Sequence, residues 1–252
     1  MAMTVDKVLA IAKAEVGYLE KSAAAYRKNP KILDEKTAGA GKDNYTKYGR
    51  DMHKIYPSVM DFPAYWCDCF VDWCFYKAYG ISNAKGLLGG NFDDYTIASA
   101  QLYKNKGAWH TSNPEIGDQV FFKNAARICH TGLVVGVDGN NIYTIEGNTS
   151  GASGVVSNGG GVATKCYSKA YARIAGYGRP KYDKEDTKKK YYPKYTGKSE
   201  SIVEGLQAIK VDSNLNNRKK IAAANGITNY SGTAEQNIKL LKLLKKGKLL
   251  MP

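Results

Sequence analysis

Four residues of the chain have side chains and sequence neighbours suited to nucleophilic attack on an amide. Cys67 lies in the stretch YWCDCFVDWCFYKAYG, residues 65–80. His130 opens a run rich in β-branched residues, and Glu146 and Asn148 lie near the end of the next such run. A cysteine nucleophile, a histidine base and a polar group that orients the histidine are the parts of a thiol-dependent hydrolase.

A helix is predicted over residues 65–80, because apolar residues follow Cys67 at intervals of three, four, seven and eleven positions. Cys67 then lies in its first turn, and Gly80 is expected to end it as a left-handed cap. Unpaired backbone N–H groups and the helix dipole favour negative charge there, so we expect a lowered pKa for the Cys67 thiol. The alternative is a buried structural cysteine that packs as a small hydrophobic side chain.

A metal site is the other use that three neighbouring cysteines suggest, and the helical spacing argues against it. Cys69 is about 200° around the helix from Cys67, and Cys74 is about 10 Å along its axis. A tetrahedral zinc ion needs its ligands on one side and close together. We therefore expect no metal ion and no cofactor.

A β-hairpin is predicted around residues 138–140, and its register decides whether the polar candidates share a face. A three-residue loop places Gly132 opposite Glu146 and His130 opposite Asn148, so that His130, Glu146 and Asn148 lie on one face. A four-residue loop moves the two polar candidates of the second strand to the other face. The catalytic interpretation therefore requires the three-residue loop.

The chain divides by composition into a larger and a smaller part. Residues 183–200 are charged and contain Pro and Gly, which is typical of a linker. We expect a catalytic domain over residues 1–182 and a helical domain over residues 201–252. Helices are predicted over 4–15 and 95–104, strands within 114–122, 162–167 and 173–177, and amphipathic runs at 202–209, 217–224 and 234–245.

The formal charge of the 252-residue chain is +14 and is concentrated near its end. Residues 181–252 hold 16 Lys and Arg against 7 Asp and Glu, which favours an anionic partner or serves solubility alone. No stretch approaches the roughly 20 apolar residues of a membrane span. The first residues lack the features of a secretory signal, so we expect synthesis in a cytoplasm with reduced thiols.

Four short motifs in a fixed order together resemble the CHAP family, cysteine-dependent amidohydrolases and peptidases that cut bacterial peptidoglycan. The resemblance covers roughly residues 4–182. The motifs are WCDCFVDW at 66–73, PEIGDQVFF at 114–122, HTGLV at 130–134 and EGN at 146–148.

This resemblance implies a papain-like α+β fold, with helices packed on an antiparallel sheet. It implies that Cys67 is the nucleophile, His130 the base and Glu146 the third member, with Asn148 at a polar position that assists in some members. The expected reaction is N-acetylmuramoyl–L-alanine amide cleavage, and the alternative is a peptide bond of the stem or cross-bridge. The acidic cluster of calcium-dependent members is missing, so the resemblance implies no calcium site.

The tail resembles the small helical cell-wall-binding modules of phage lysins. The order of catalytic domain, linker and basic wall-binding module resembles that of a phage endolysin. Such enzymes accumulate in the bacterial cytoplasm and reach the wall through a holin. We expect peptidoglycan and anionic wall polymers as partners, neither nucleic acid nor a membrane, and the tail could also pair with copies of itself. The hypothesis from another class is a non-catalytic wall-binding protein in which Cys67 belongs to the core.

Overall fold

A computed structural model describes residues 2–183 and 191–252 of the chain. The chain forms two compact units, Met1–Asp183 and Lys184–Pro252. The first seven of the residues expected as a linker after position 183 lie outside the described residues. Tyr192 and Tyr195, also assigned to that linker, pack against the hydrophobic core of the second unit.

The first unit is α+β, with its helices in the first half and its strands in the second, so the expected fold class is confirmed. The helices are α1 (Val5–Glu15), α2 (Ala23–Lys28), a 3₁₀ helix (Pro30–Asp34), α3 (Lys47–Ile55), α4 (Cys67–Leu87) and α5 (Thr96–Asn105). The strands are β1 (Trp109–His110), β2 (Gln119–Lys123), β3 (Ile128–Val137), β4 (Asn141–Thr149), β5 (Gly161–Ser168) and β6 (Ile174–Gly178).

All six strands form one antiparallel sheet in the order β1-β6-β2-β3-β4-β5. Helix α4 packs against β3 and β4 on one face and against α1 and α3 on its other sides. Every residue from Cys67 to Phe75 is buried as a result, including Cys69, which the predicted stripe placed on the far side. Gly80 adopts φ 74° and interrupts the helix where the sequence placed its end.

The β3–β4 hairpin reaches the required register by a different route from the predicted one. Next to the loop, Val137 pairs with Ile142 and not, as the three-residue loop predicted, with Asn141. A bulge between Val134 and Gly136 then shifts the register by one residue, and Leu133 pairs with Ile145. On the side of the bulge away from the loop, the strands have the register that the three-residue loop predicted. This is because a bulge adds one residue to one strand alone.

The second unit is helical, with α6 (Ile202–Ala208), α7 (Leu215–Ala224) and α8 (Ala234–Lys245) near the three predicted amphipathic runs. Helix α8 begins with a capping box, in which Thr233 and Gln236 satisfy each other's backbone N–H groups. Leu206, Ile221, Leu240 and Leu244 are fully buried in its core. Within residues 2–183 and 191–252, no helix is both long enough and apolar enough to cross a membrane.

Candidate active site

Cys67 is the first residue of α4 and is held there by its neighbour Trp66. The indole Nε1 of Trp66 donates a hydrogen bond of 2.8 Å to Glu20 Oε2, and its ring stacks on Tyr48. Both contacts are buried, so the start of the helix is fixed against the N-terminal part of the unit. Cys67 is 6 % exposed, at the floor of a surface cavity.

The Cys67 thiol is protonated at neutral pH, in contrast to the lowered pKa expected from the helix start. Burial raises the pKa of Cys67 to about 12, and the charge of Asp68 acts in the same direction. The backbone N–H groups of Asp68, Thr131 and Cys67 itself lower it, but by less than burial raises it. The start of α4 is buried in the protein. Desolvation therefore raises the pKa of the thiol by more than the helix dipole lowers it. A thiol in this state needs a base to become a nucleophile.

His130 and Glu146 form a fully buried pair. His130 Nε2 lies 2.9 Å from Glu146 Oε2, and neither side chain is exposed. With its N–H at Nε2 directed to the carboxylate, the neutral ring keeps the lone pair on Nδ1. Nδ1 is buried and has no hydrogen-bond partner among the described residues. The pair therefore presents an unoccupied base in the interior.

Glu146 is held by two further donors that the sequence analysis missed. The Thr144 hydroxyl donates to Glu146 Oε1 at 2.6 Å, and the Tyr167 hydroxyl donates to Glu146 Oε2 at 3.2 Å. Thr144 lies two residues before Glu146 on β4, so strand periodicity could have identified it. Tyr167 is on β5, and no sequence pattern indicated its contact with Glu146. Three donors keep the carboxylate in one orientation toward His130.

Two glycines of the sequence motifs, Gly132 and Gly147, allow close packing around Glu146 because they have no side chain. A Cβ on Gly132 would lie 2.4 Å from Glu146 Cγ, so a side chain there would displace the carboxylate. A Cβ on Gly147 would lie 2.5 Å from the Phe70 Cβ, so Gly147 lets α4 approach β4 closely. The HTG and EGN motifs thus bring the cysteine helix against the strand of Glu146.

The residues that follow Cys67 and His130 in the chain connect the start of α4 to β3. The backbone N–H of Thr131 acts on the Cys67 thiol. Gln119 Nε2 donates to Asp68 Oδ1 at 2.8 Å and to the Thr131 hydroxyl oxygen at 3.1 Å. This glutamine is in the PEIGDQVFF motif, and the sequence analysis did not single it out. It joins the start of α4 to β3 next to the thiol and the imidazole.

Asn148 is buried, but its hydrogen bonds lead away from the histidine. Its Oδ1 accepts the Gly160 N–H at 3.3 Å, and its backbone has φ 53° at a bulge in the β4–β5 pairing. Among the described residues, no hydrogen bond joins Asn148 to His130. The structure therefore pairs His130 with Glu146, places the backbone of Thr131 against the Cys67 thiol, and gives Asn148 contacts to the turn before β5.

The cavity above Cys67 has a volume of about 280 Å³, and we call it the Cys67 cavity. A second cavity of about 230 Å³ shares Asn158 with it and is lined by Gly41 and Lys42. The Cys67 cavity is lined by Tyr65, Cys67, Asp94, Tyr95, Thr96, Asn124, Arg127, Cys129, Ser157 and Asn158.

Metal ligands are not assembled in the part of the chain that the structure describes. Residues 2–183 and 191–252 contain no group of three or more His, Cys, Asp or Glu side chains that could hold a metal ion. Cys69 and Cys74 are buried in the core, and all five cysteines are free.

Two curated phage proteins share a short segment with this chain. The L-alanyl-D-glutamate peptidase of Listeria phage A118 is 53 % identical over 47 residues, which is 19 % of this chain and 17 % of that protein. The endolysin of Listeria phage A511 is 50 % identical over 46 residues, which is 18 % of this chain and 14 % of that protein. The matched segments thus span less than a fifth of either relative.

Among solved structures, the crystal structure of Ly7917 aligns with 70 % of this chain and 62 % of its own, at 18 % identity and a TM-score of 0.32. Its complex with the hydrolysing product of MDP aligns at 17 % identity and a TM-score of 0.30. These scores are too low to support an argument about the site.

The family model of the CHAP domain matches residues 59–148. This segment begins before α4 and ends on β4, so it contains Cys67, His130 and Glu146 and the elements that hold them. The motifs that suggested the family in the sequence lie within or beside it. The CHAP family model thus matches the part of the chain that carries these motifs and the three candidate residues.

Proposed function

We propose that the protein is a peptidoglycan hydrolase that cleaves an amide bond with Cys67 as nucleophile. The observation that carries this proposal is the buried His130–Glu146 pair, whose free Nδ1 lies in the segment that the CHAP family model matches, together with the cysteine at the start of α4. The names of the two phage relatives support the substrate class, although each match covers a small part of that relative.

In the proposed reaction, His130 Nδ1 removes the thiol proton as Cys67 Sγ attacks the amide carbonyl carbon. Glu146 stabilises the imidazolium that forms, because its carboxylate stays ionised and accepts a hydrogen bond from the Nε2–H group in a buried site. The backbone N–H of Cys67 is the donor proposed for the developing oxyanion. His130 then gives its proton to the leaving amine, and a thioester remains on Cys67.

Water completes the cycle by attack on the thioester carbonyl. His130 Nδ1 takes a proton from this water, and the thiolate leaves and is reprotonated by the imidazolium. The products are an amine and a carboxylic acid, with the enzyme back in its starting state. Asn148 assists by fixing the turn at Gly160 beside the second cavity.

We propose the N-acetylmuramoyl–L-alanine amide as the bond cleaved. An endopeptidase that cuts within the peptide is the second candidate, and the name of the Listeria phage A118 relative, an L-alanyl-D-glutamate peptidase, favours it. Sequencing the new amino termini separates the two, since amidase action frees L-alanine and the A118-type cut frees D-glutamate.

For the second unit we propose binding to the bacterial cell wall, including its anionic polymers. Its excess of Lys and Arg supplies the complementary charge. In this proposal the helical unit keeps the hydrolase on the wall after the protein has been released from the cell that made it. A pull-down of purified walls with and without their anionic polymers tests it.

The test of the hydrolase proposal is the clearing of purified Gram-positive walls by wild type, Cys67→Ala and Glu146→Gln. We expect clearing by wild type, none by Cys67→Ala, and a loss of about 10³-fold for Glu146→Gln, by analogy with triad mutants. Equal clearing by wild type and Cys67→Ala would overturn the role of the thiol. Wall binding by a wild type that clears no walls would favour the non-catalytic hypothesis.

A further inference from the structure

Arg127 lines the Cys67 cavity and lies three residues before His130 in the chain. It precedes the first residue of β3 and is exposed. Its guanidinium carbon lies 5.4 Å from the centre of the Tyr95 ring, and Tyr95 lines the same cavity. A cation over an aromatic ring is held in position on one face and keeps its donors free at the edge.

The segment that carries Arg127 is a closed turn, so the side chain starts from a fixed point. Asn124 N–H donates to the Arg127 carbonyl at 2.9 Å, and Asn124 Oδ1 accepts the Arg127 N–H at 2.8 Å. The same Oδ1 accepts the Ala126 N–H at 2.9 Å. Because these hydrogen bonds already order the backbone of the turn, less conformational entropy is lost when a ligand orders the arginine side chain.

The guanidinium has no carboxylate partner within the protein as described. Its only hydrogen bond among residues 2–183 and 191–252 is a long one of 3.4 Å from Nη1 to the Ile128 carbonyl. By contrast, Arg50 and Arg179 each bind two carboxylates. Arg127 therefore has donors available in the cavity that Cys67 also lines, in the planar arrangement that fits a carboxylate.

We propose that Arg127 is a specificity residue that binds a free carboxylate of the peptide substrate next to the bond attacked by Cys67. This inference rests on the proposed function and goes further, because it names the chemical group recognised. Asp94 lines the same cavity and repels a carboxylate near it, so the ligand carboxylate lies at the Arg127 side. Peptidoglycan stems have two sources of this group, the α-carboxyl of the γ-linked D-glutamate and the carboxyl terminus.

The experiment uses the full chain and three soluble N-acetylmuramoyl pentapeptides. One has both carboxylates free, the second has the glutamate carboxyl as an amide, and the third has the terminal carboxyl as an amide. We expect one of the two amidated peptides to have a kcat/KM roughly tenfold lower than the peptide with both carboxylates free. The change should be in KM, since a charge-assisted hydrogen bond to the substrate is lost. Whichever amide has this effect identifies the source of the carboxylate.

Arg127→Met is expected to bring the ratio of kcat/KM between acid and amide close to one. Arg127→Lys should keep part of the preference, because it retains the charge and loses the planar fork. Lys123→Met removes an exposed cation that does not line the cavity and should leave the ratio as in wild type. Equal rates on all three peptides, or a preference that survives in Arg127→Met, would overturn the inference.

Binding separates this inference from the hydrolase proposal. Titration calorimetry of Cys67→Ala with the three peptides measures the same preference without turnover. If no peptide is hydrolysed by wild type and Cys67→Ala still prefers the free acid, the hydrolase proposal fails and the carboxylate site stands. If hydrolysis occurs and neither rate nor binding depends on the carboxylates, the carboxylate site alone fails.

Discussion

Gln119 donates a hydrogen bond of 2.8 Å to Asp68, and this contact ties the sheet to the start of the cysteine helix. The same Nε2 lies 3.1 Å from the Thr131 hydroxyl oxygen, and Gln119 Oε1 accepts from Tyr103 at 3.1 Å. All four side chains are buried. Because Asp68 follows Cys67 and Thr131 follows His130, one amide side chain links the residues next to the candidate thiol and imidazole.

Gln119→Met keeps the length of the side chain and removes all three hydrogen bonds. We expect a loss of about 1–3 kcal/mol in the free energy of unfolding, since buried partners are left unpaired. We also expect kcat to fall at least tenfold with KM little changed, because positioning acts on the chemical step. Urea unfolding and initial rates on walls or peptides measure the two effects.

Gln101→Met is the matched control, since Gln101 is exposed on α5 and its side chain bonds, within residues 2–183 and 191–252, only to Asn105. It should leave both quantities unchanged. A Gln119→Met protein with wild-type kcat would show that Asp68 and Thr131 keep their places without the bridge. A fall confined to stability would assign Gln119 to the fold and not to the site.

The reactivity of the Cys67 thiol tests whether it is protonated in the resting protein. Because burial raises its pKa to about 12, we expect slow alkylation by iodoacetamide at pH 7 that speeds up with rising pH beyond pH 9. Cys166 is exposed and serves as an internal reference in the same sample. Peptide mass spectrometry resolves the two sites. Faster modification of Cys67 than of Cys166 at pH 6 would show a preformed thiolate–imidazolium pair instead.

The acidic residues Asp68 and Asp72 make the stability of the first unit depend on pH. Burial raises the pKa of Asp68 to about 7, and it raises that of Asp72 well above its ordinary value of 3.8. The unfolded chain releases both protons near pH 4, whereas the folded chain keeps them to higher pH. The folded state binds more protons in this interval, so the free energy of unfolding contributed by these groups falls as pH rises from about 4 to 7.

Asp72→Asn isolates this contribution, because an amide oxygen can still accept the Asp93 N–H that Asp72 binds at 3.0 Å. We expect the variant to gain stability relative to wild type at pH 7.5 and to gain less at pH 5. Urea unfolding at both pH values gives the double difference. A difference independent of pH would show that Asp72 is ionised in the folded state throughout.

The hairpin shows what the sequence could predict and what it could not. Alternation along β3 and β4 identified the residues that share a face, because that face is buried and its pattern is strong. The predicted pairing of Val137 with Asn141 was wrong, and the bulge between Val134 and Gly136 compensated for it. A bulge depends on packing with neighbouring strands, which the hairpin sequence alone does not contain.

Helix α3 and Gln119 show a second limit of the sequence. The polar residues 41–53 gave no clear helical pattern, but tertiary contacts fix α3, whose Tyr48 packs against Trp66, Phe70 and Trp73. Gln119 was inside a motif but had no visible partner, since Asp68 lies 51 positions away. Local patterns thus identified the candidate thiol, imidazole and carboxylate, and long-range contacts supplied the residues that hold them.

Gly132→Ala tests how closely the His130–Glu146 pair is fitted. The new Cβ would lie 2.4 Å from Glu146 Cγ and 3.0 Å from the Ile145 carbonyl oxygen. The Ile145 backbone is held in the sheet and cannot move without disrupting it. The Glu146 side chain must therefore move, and its hydrogen bond to His130 must lengthen or break. We expect destabilisation of about 1–3 kcal/mol from overpacking, and a loss of activity larger than this destabilisation explains.

Gly139→Ala in the β3–β4 loop is the control, because nothing lies within 4 Å of the added methyl group and its φ is not in the left-handed region. Wall clearing and urea unfolding of both variants give the comparison. If Gly132→Ala keeps wild-type clearing, Glu146 tolerates displacement, and the geometry of the pair is not what limits the reaction. If it loses clearing at full stability, the 2.9 Å contact between His130 and Glu146 is required for the chemistry itself.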